Sequence, residues 1–271
     1  MEEQKKLRFA FSMNVNYSEP VHRAFFTLKC IPTTNARQKL LELHTEIHPE
    51  NNWSRGVDGF GNEKIYGKVD WDHEAFSYRV SGVVEIGQIL YEEMAEEYQI
   101  PVFRHPYGMN RAGDGIRSWF EEQKADLEGL TDYEKALELM HRLHKVYTYE
   151  GGKTGVTTTA EEAWGMGAGV CQDYSHIFIA LCHLAGIPAR YVAGMLMGEG
   201  ASHAWVEFLW KNRWIGIDPT NNILVADQHI KLAHGRDASD CLINRGILQG
   251  GGMQEQSVKV SVHKIRRVSE Q

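Results

Sequence analysis

The chain has little cysteine. There are four in 271 residues, and no two stand in a Cys-x-x-Cys pair. That spacing argues against a disulfide framework and gives a metal site poor support, although 13 histidines leave room for one. The chain also lacks an excess of basic charge: 36 acidic against 29 basic residues give a net charge of −7. No positive field invites nucleic acid or an anionic membrane. No apolar run reaches the ~20 residues of a membrane helix. The first residues, Met1-Glu-Glu-Gln-Lys-Lys, are charged and hold no signal-peptide apolar stretch, so a cytoplasmic location is expected. Internal repeats and low-complexity segments are missing too. What is present is ordinary for a soluble globular protein, with 42% hydrophobic and 24% charged residues. The length suits one large domain or two ordinary ones.

The first third reads as β structure. Leu7, Phe9, Phe11, Met13 and Val15 alternate along a half-buried strand. A turn is expected at Ser18-Glu-Pro, then a strand through Phe25, Phe26, Leu28 and Ile31. Residues 38–47 fit strand or helix, and 65–69 and 75–86 are further strands. Short strands at this spacing predict an antiparallel β-sandwich over residues 1–95. Ile89 to Tyr98 carries helix formers and the acids Glu92, Glu93, Glu96 and Glu97, and Pro101 and Pro106 break that pattern. Residues 96–271 then form a second domain.

That domain opens with helices. One is predicted over 113–124, and another begins at Thr131, an N-cap that Glu134 completes as a capping box. Leu137, Met140, Leu143 and Val146 are its expected inward face. A short helix runs from Thr158 and Thr159 through Trp164. Gly167-Ala-Gly-Val then leads into Cys171, after which Tyr174, Ile177, Phe178, Leu181 and Leu184 fall at helical spacing. Gly186 and Pro188 end that helix. Cys171 therefore stands in the first turn of a four-turn helix expected to be buried along one face. Free N–H groups and the helix dipole favour its thiolate there, and the same groups suit an oxyanion. Asp173 would oppose the thiolate, so a nearby positive charge is required.

His203 is the candidate source. Ser202-His-Ala-Trp-Val-Glu-Phe-Leu-Trp and Arg213-Trp-Ile-Gly-Ile-Asp-Pro-Thr read as two strands around Lys211-Asn212. A two-residue loop pairs Trp210 with Arg213 and sets Trp205 opposite Asp218, so His203 and Asp218 become diagonal neighbours on one face. A four-residue loop sets them opposite each other, and a three-residue loop parts them. In two of these three geometries Asp218 can orient the imidazole of a Cys-His-Asp relay. A late strand is expected over 257–268.

Gly169-Val-Cys-Gln-Asp, Gly186-Ile-Pro-Ala-Arg-Tyr-Val, Ser202-His-Ala-Trp-Val-Glu and Asp218-Pro-Thr-Asn together resemble the core blocks of the bacterial transglutaminase-like family, a branch of the papain-like thiol enzymes. Gly235-Arg-Asp resembles a further block. The resemblance is close over roughly residues 131–265. It implies an α+β, papain-like catalytic core behind a β-rich N-terminal domain, and a cysteine protease with Cys171, His203 and Asp218 as its triad. No cofactor is implied. The implied partner is a peptide or protein substrate, not nucleic acid or membrane, and the oligomeric state stays open. Gln172, Tyr149, Trp164 and Trp205 are candidate oxyanion donors or cleft walls. Cys30 and Cys182 read as small core hydrophobes. His176 and His183 read as surface or satisfied histidines, and Arg236 and Asp237 as an internal salt bridge.

Hydrolysis of a peptide or carboxamide bond is the leading expectation. The alternatives are a protein-crosslinking transglutaminase, which passes the acyl group to a lysine amine, and a binding module that keeps the fold without activity. A zinc hydrolase with Cys171, His203 and Asp218 around the metal is a third class.

Overall fold

The computed structural model describes residues 5–89, 91 and 93–265. Met1 to Gln4, Glu92 and the end of the last expected strand beyond residue 265, including Val268, lie outside the described residues. In chain order the first strands are β1 (Lys5–Leu28), β2 (Gln38–His48), β3 (Trp53–Val57), β4 (Glu63–Val69), β5 (His73–Ile86) and β6 (Glu93–Met94). Next come α1 (Ile100–Arg104), α2 (Asp114–Leu127), α3 (Asp132–Val146), β7 (Thr148–Tyr149), α4 (Ala160–Met166), β8 (Ala168–Gly169) and α5 (Cys171–Leu184). The rest is β9 (Ala189–Leu196), β10 (Gly198–Gly200), β11 (His203–Trp210), β12 (Arg213–Asp218), β13 (Ile223–Leu224), β14 (His229–Gly235), β15 (Asn244–Gly250) and β16 (Gln254–Lys264). The fold is α+β, mostly strands with few helices.

The N-terminal strands form one continuous antiparallel network. Its spine is β1. The expected turn at Ser18 is instead an irregularity inside this 24-residue strand. Ahead of it β1 pairs with β5 and β16; after it, with β4 and β15. Ser18 N donates to Met253 O at 2.9 Å, so the bend is paired with the β15–β16 connection. The inward faces of both halves share one apolar core, including Phe9, Phe11, Phe26, Leu28, Phe76 and Val80. Residues 244–264, assigned from the sequence to the second domain, thus complete the first sheet. The Gly198-Glu-Gly stretch also joins it, as β10 beside β16.

The second sheet is antiparallel, in the order β13-β12-β11-β9-β14, with β6 on β12. Glu93 and Met94 are therefore strand rather than helix, and Pro101 lies in the first turn of α1, where a missing N–H costs nothing. Ile177, Phe178 and Leu181 of α5 share a core with Tyr191, Val206, Phe208 and Ile217 of the sheet. Met195, Ile230 and Leu232 belong to the N-terminal core. The second sheet thus contributes apolar residues to both cores.

Local signals account for the helices. Thr131 caps α3 and forms the capping box with Glu134, and Thr159 with Glu162 does the same for α4. The α3 face is turned slightly from expectation: Ala136, Leu139, Met140 and Leu143 are buried, Leu137 is half-buried and Val146 is exposed. The larger difference is α5. Every residue from Asp173 to Cys182 is buried, so this helix is enclosed all round rather than along one stripe.

Candidate active site

Cys171 is the first residue of α5. Its N-terminus is fixed by Asp173, whose Oδ2 accepts from Val170 N at 2.7 Å and from Thr154 Oγ1 at 2.6 Å. A Cβ on Gly169 would stand 2.4 Å from that oxygen and 2.5 Å from the Tyr147 hydroxyl, so the glycine approach is a steric requirement. Burial raises the Asp173 carboxyl above its ordinary pKa, and its bonds to Thr154 and Val170 only partly offset this. The carboxylate that the sequence sets against the thiolate is therefore engaged with the cap. The N–H groups of Cys171 and Gln172, which open the helix, have no acceptor within the helix ladder. Asp173 N and Tyr174 N are the first to bond back, both to Val170 O.

His203 begins β11. The hairpin uses the two-residue loop: Lys211 and Asn212 have φ of 47° and 59°, and Trp210 pairs with Arg213. Gly194 lies directly across from His203, where a Cβ would come within 2.3 Å of the Trp205 ring. The register delivers Asp218 to the imidazole. Asp218 Oδ2 lies 2.7 Å from His203 Nε2. The carboxylate is fully buried and saturated. Oδ1 accepts from Thr220 N at 3.0 Å and Asn221 N at 3.2 Å; Oδ2 also accepts from Asn221 Nδ2 at 2.7 Å and faces His229 Nε2 at 3.1 Å.

The His203 side chain also lies close enough to Cys171 for the sulfur to raise the imidazole pKa. With Nε2 on Asp218, Nδ1 is the nitrogen left for the thiol. Burial would lower the imidazole pKa. The hydrogen bond to Asp218, its charge and the neighbouring Cys171 sulfur outweigh it and raise the value to about 10. Burial likewise opposes an anionic Asp218, but hydrogen bonds from His203 and His229 and the His203 charge hold its carboxyl well below the usual range. The buried Asp218 carboxylate thus favours the imidazolium form of His203.

The other expected residues divide. Tyr149 pairs with Gly169, is 60% exposed and stands close enough to Cys171 for the sulfur to raise its pKa after burial has done so. Gln172 follows Cys171, and its amide donates to Val156 O at 3.1 Å. Trp164 packs against Trp119, 5.4 Å between ring centroids, on the side of α4 that meets α2. Trp205 is fully buried beneath His203 and His229, its indole N–H enclosed. It supports the histidines and does not line an open cleft.

Cys30, Cys182 and Cys241 are buried, whereas Cys171 is half-exposed. Burial pushes Cys30 up to about 12 and raises Cys182 and Cys241 as well. His176 is a wholly buried acceptor for Ala238 N at 3.1 Å, and burial pushes it down to about 4 against the pull of Asp237. Arg236 pairs with Asp240 at 2.7 Å, while Asp237 caps the turn Ala238–Cys241.

Sequence reasoning missed His229 and Asn221. Asn221 ends the Asp218-Pro-Thr-Asn block and follows the familiar habit of turn residues bonding a nearby side chain. His229 had no local signal, since β14 mixes His, Lys and apolar residues without a readable period.

Among the described residues, His203, Asp218 and His229 have atoms of metal-binding type within 4.8 Å of one another. The set differs from the zinc expectation by holding His229 in place of Cys171. The contacts to Asp218 Oδ2 are hydrogen bonds in length, and that oxygen also accepts from Asn221. Hydrogen bonding thus accounts for the cluster.

A central helix that starts on a cysteine and packs on an antiparallel sheet carrying histidine and aspartate is the transglutaminase-like form of the papain-like fold. Residues 122–219 match the Transglutaminase-like superfamily, and residues 7–85 match the Bacterial transglutaminase-like N-terminal region. The chain belongs to the bacterial transglutaminase-like proteins, with both core and N-terminal region present. It is 26% identical to uncharacterized protein ML0607 of Mycobacterium leprae, over 96% of this chain and 99% of that protein. It is 25% identical to uncharacterized protein Rv2569c of Mycobacterium tuberculosis, over 90% and 87% respectively. The fold is shared with the crystal structure of a "putative cysteine protease" from Cytophaga hutchinsonii, with a TM-score of 0.80, 20% identity, and coverage of 98% of this chain and 92% of that one. No helix among the described residues is long and apolar enough to cross a membrane.

Proposed function

We propose that the protein catalyses thiol-dependent acyl transfer on a peptide or carboxamide bond, with water as acceptor, as a cysteine peptidase or amidase. The observation that carries this reading is Asp218 hydrogen-bonded to His203 at 2.7 Å, with Cys171, the one cysteine that is not buried, close to the same imidazole. The Cytophaga hutchinsonii protein of this fold is described as a "putative cysteine protease", which agrees with the peptidase form of this reading.

Cys171 thiolate attacks the carbonyl carbon, and the carbonyl oxygen takes the electron pair. First-turn N–H groups of α5 stabilise that oxyanion. The C–N bond breaks, and the amine leaves with the proton from His203. Water then attacks the thioester carbonyl carbon, giving its proton to His203; the C–S bond breaks, the acid departs, and Cys171 leaves as thiolate beside the protonated imidazole. Asp218 holds the imidazole tautomer and its cation throughout.

The test is a p-nitrophenyl ester burst. One equivalent of nitrophenolate with an acyl group on Cys171 by mass spectrometry is expected, and none in Cys171→Ala. Turnover that does not accelerate when a primary amine is added assigns water as acceptor; incorporation of the amine in preference to hydrolysis assigns crosslinking. No burst and no acyl adduct would contradict acyl transfer and favour a binding module.

A further inference from the structure

The Asp218 carboxylate holds a second imidazole that the proposed reaction does not use. His229, the first residue of β14, is fully buried. Its Nε2 lies 3.1 Å from the same Oδ2 that meets His203 Nε2 at 2.7 Å. The ring stands edge-on to Trp205, with centroids 5.2 Å apart and planes at 76°. The His203 ring is 6.0 Å away.

Proton placement follows from this geometry. His229 Nδ1 is buried and has no hydrogen-bond partner among the described residues. A buried N–H without an acceptor is among the rarest features of folded proteins, whereas a bare lone pair is better tolerated. The proton therefore belongs on Nε2, where the Asp218 carboxylate accepts it. Burial lowers the ring's pKa despite the pull of Asp218, so His229 is a neutral donor.

The charged and titratable groups facing His229 are Asp218 from β12, His203 from β11 and Arg37 from the segment before β2. Arg37 also fixes the backbone: Nη1 donates to Ala226 O at 2.9 Å and to His229 O at 3.4 Å. Gln38 brackets the strand two residues on, donating to Lys231 O at 3.0 Å and accepting from Lys231 N at 2.8 Å. The N-terminal region thus clamps the strand that presents His229.

We propose that His229 is a positioning residue, whose Nε2–H holds Asp218 Oδ2 in line with His203. This rests on the reading of Cys171, His203 and Asp218 as the acyl-transfer relay. Thr220 and Asn221 secure the other oxygen, and His229 shares the working oxygen with His203 and Asn221. It gives Asp218 an anchor deep in the sheet, opposite the turn at 219–222.

The test compares the pH profile of Cys171 alkylation by iodoacetamide in wild type, His229→Leu, His229→Gln and His203→Ala. The amide nitrogen of Gln can take the place of Nε2–H, whereas Leu cannot donate. Expected is a wild-type profile retained in His229→Gln, and in His229→Leu an acid limb shifted up by about one pH unit, roughly a tenfold slower reaction on that limb. A merely structural His229 would change stability without moving the limb in the folded protein. Superposition of the His229→Leu and wild-type profiles would overturn the proposal, as would an equal shift in His229→Gln. Should His229→Leu not fold, imidazole 15N NMR of the wild type decides. A neutral Nε2–H ring for His229 supports the proposal; an Nδ1–H or charged ring overturns it. Failure of the underlying relay looks different: an ordinary thiol profile in wild type, unchanged in His203→Ala.

Discussion

Two buried carboxylates on the same sheet meet opposite fates. Glu207 on β11 is held by Arg190 Nε at 2.6 Å and by Lys231 Nζ at 2.8 and 2.9 Å, all three groups fully or almost fully buried. Arg190 also reaches Glu93 at 2.5 Å and lies over the Trp214 ring, 4.3 Å from its centroid. Burial opposes the Glu207 anion, but its two cations hold the carboxyl below its ordinary pKa. Asp218, on the neighbouring strand, is held by imidazoles and amides instead. Arginine and lysine are permanent cations at neutral pH, so the charge at Glu207 is locked. An imidazole can gain and lose its proton, so the charge beside Asp218 can move, and in the proposed relay His203 exchanges it with a thiol. Burial and low dielectric are common to both sites; only the partners separate the structural pair from the one proposed to react.

Exchanging the two roles gives the largest effects. His203→Ala is expected to lower the rate of ester acylation on the order of 10²–10⁴-fold, the usual contribution of a positioned acid–base group. Asp218→Asn should lose nearly as much while Cys171 remains accessible, as measured by stopped-flow burst kinetics. A drop of less than about tenfold in both would erase the distinction between the two carboxylates.

Glu207→Gln should do the reverse. It strands Arg190 and Lys231 inside the sheet, and losing one partner of a buried ion pair costs about 3–5 kcal/mol. Urea unfolding should show that loss, while the alkylation profile of the folded variant stays that of wild type. A shifted profile would mean that the Glu207 cluster also sets the charge at the site.

A third contrast lies in the pH dependence of stability. The His203 pKa is raised, so its contribution is complete below the unfolded value of ~6.5 and is lost as pH rises through about 10. His176 is shifted the other way: its contribution is present above ~6.5 and is lost as pH falls towards about 4. Thermal melts should therefore weaken on both sides of neutrality. His203→Ala should flatten the alkaline side and His176→Phe the acid side. Unchanged slopes in both variants would break the assignment.

The smallest effect is expected from metal removal. Hydrogen bonds already satisfy Asp218, so a chelator should leave the alkylation profile unchanged. Stoichiometric zinc that, once removed, alters the profile would place a metal among His203, Asp218 and His229.

The sequence shows its own limits along the same line. The start of α5, the Thr131–Glu134 cap and a hairpin around Lys211-Asn212 were legible, because each depends on residues within a few positions of one another; which of three loop lengths the hairpin uses was not. The hairpin register alone brought Asp218 within reach of His203. His229 and the Glu207 cluster were not legible, because their partners come from three or more strands and their polar side chains imitate an exposed face. The return of β15 and β16 to the N-terminal sheet was hidden for the same reason: alternation marks a strand but not its neighbour. Burial of α5 on all sides follows from what packs around it. Trp205 showed only an aromatic beside the histidine; that it lies beneath two imidazoles needed β14.

The most direct test is the pH dependence of Cys171 alkylation by iodoacetamide in wild type and His203→Ala. Rapid reaction is expected to persist well below the ~8.5 of a free thiol and to revert to an ordinary thiol profile when the histidine is removed. An ordinary profile in both proteins would mean that the Cys171–His203 pair does not carry the charge, and would contradict the account at its centre.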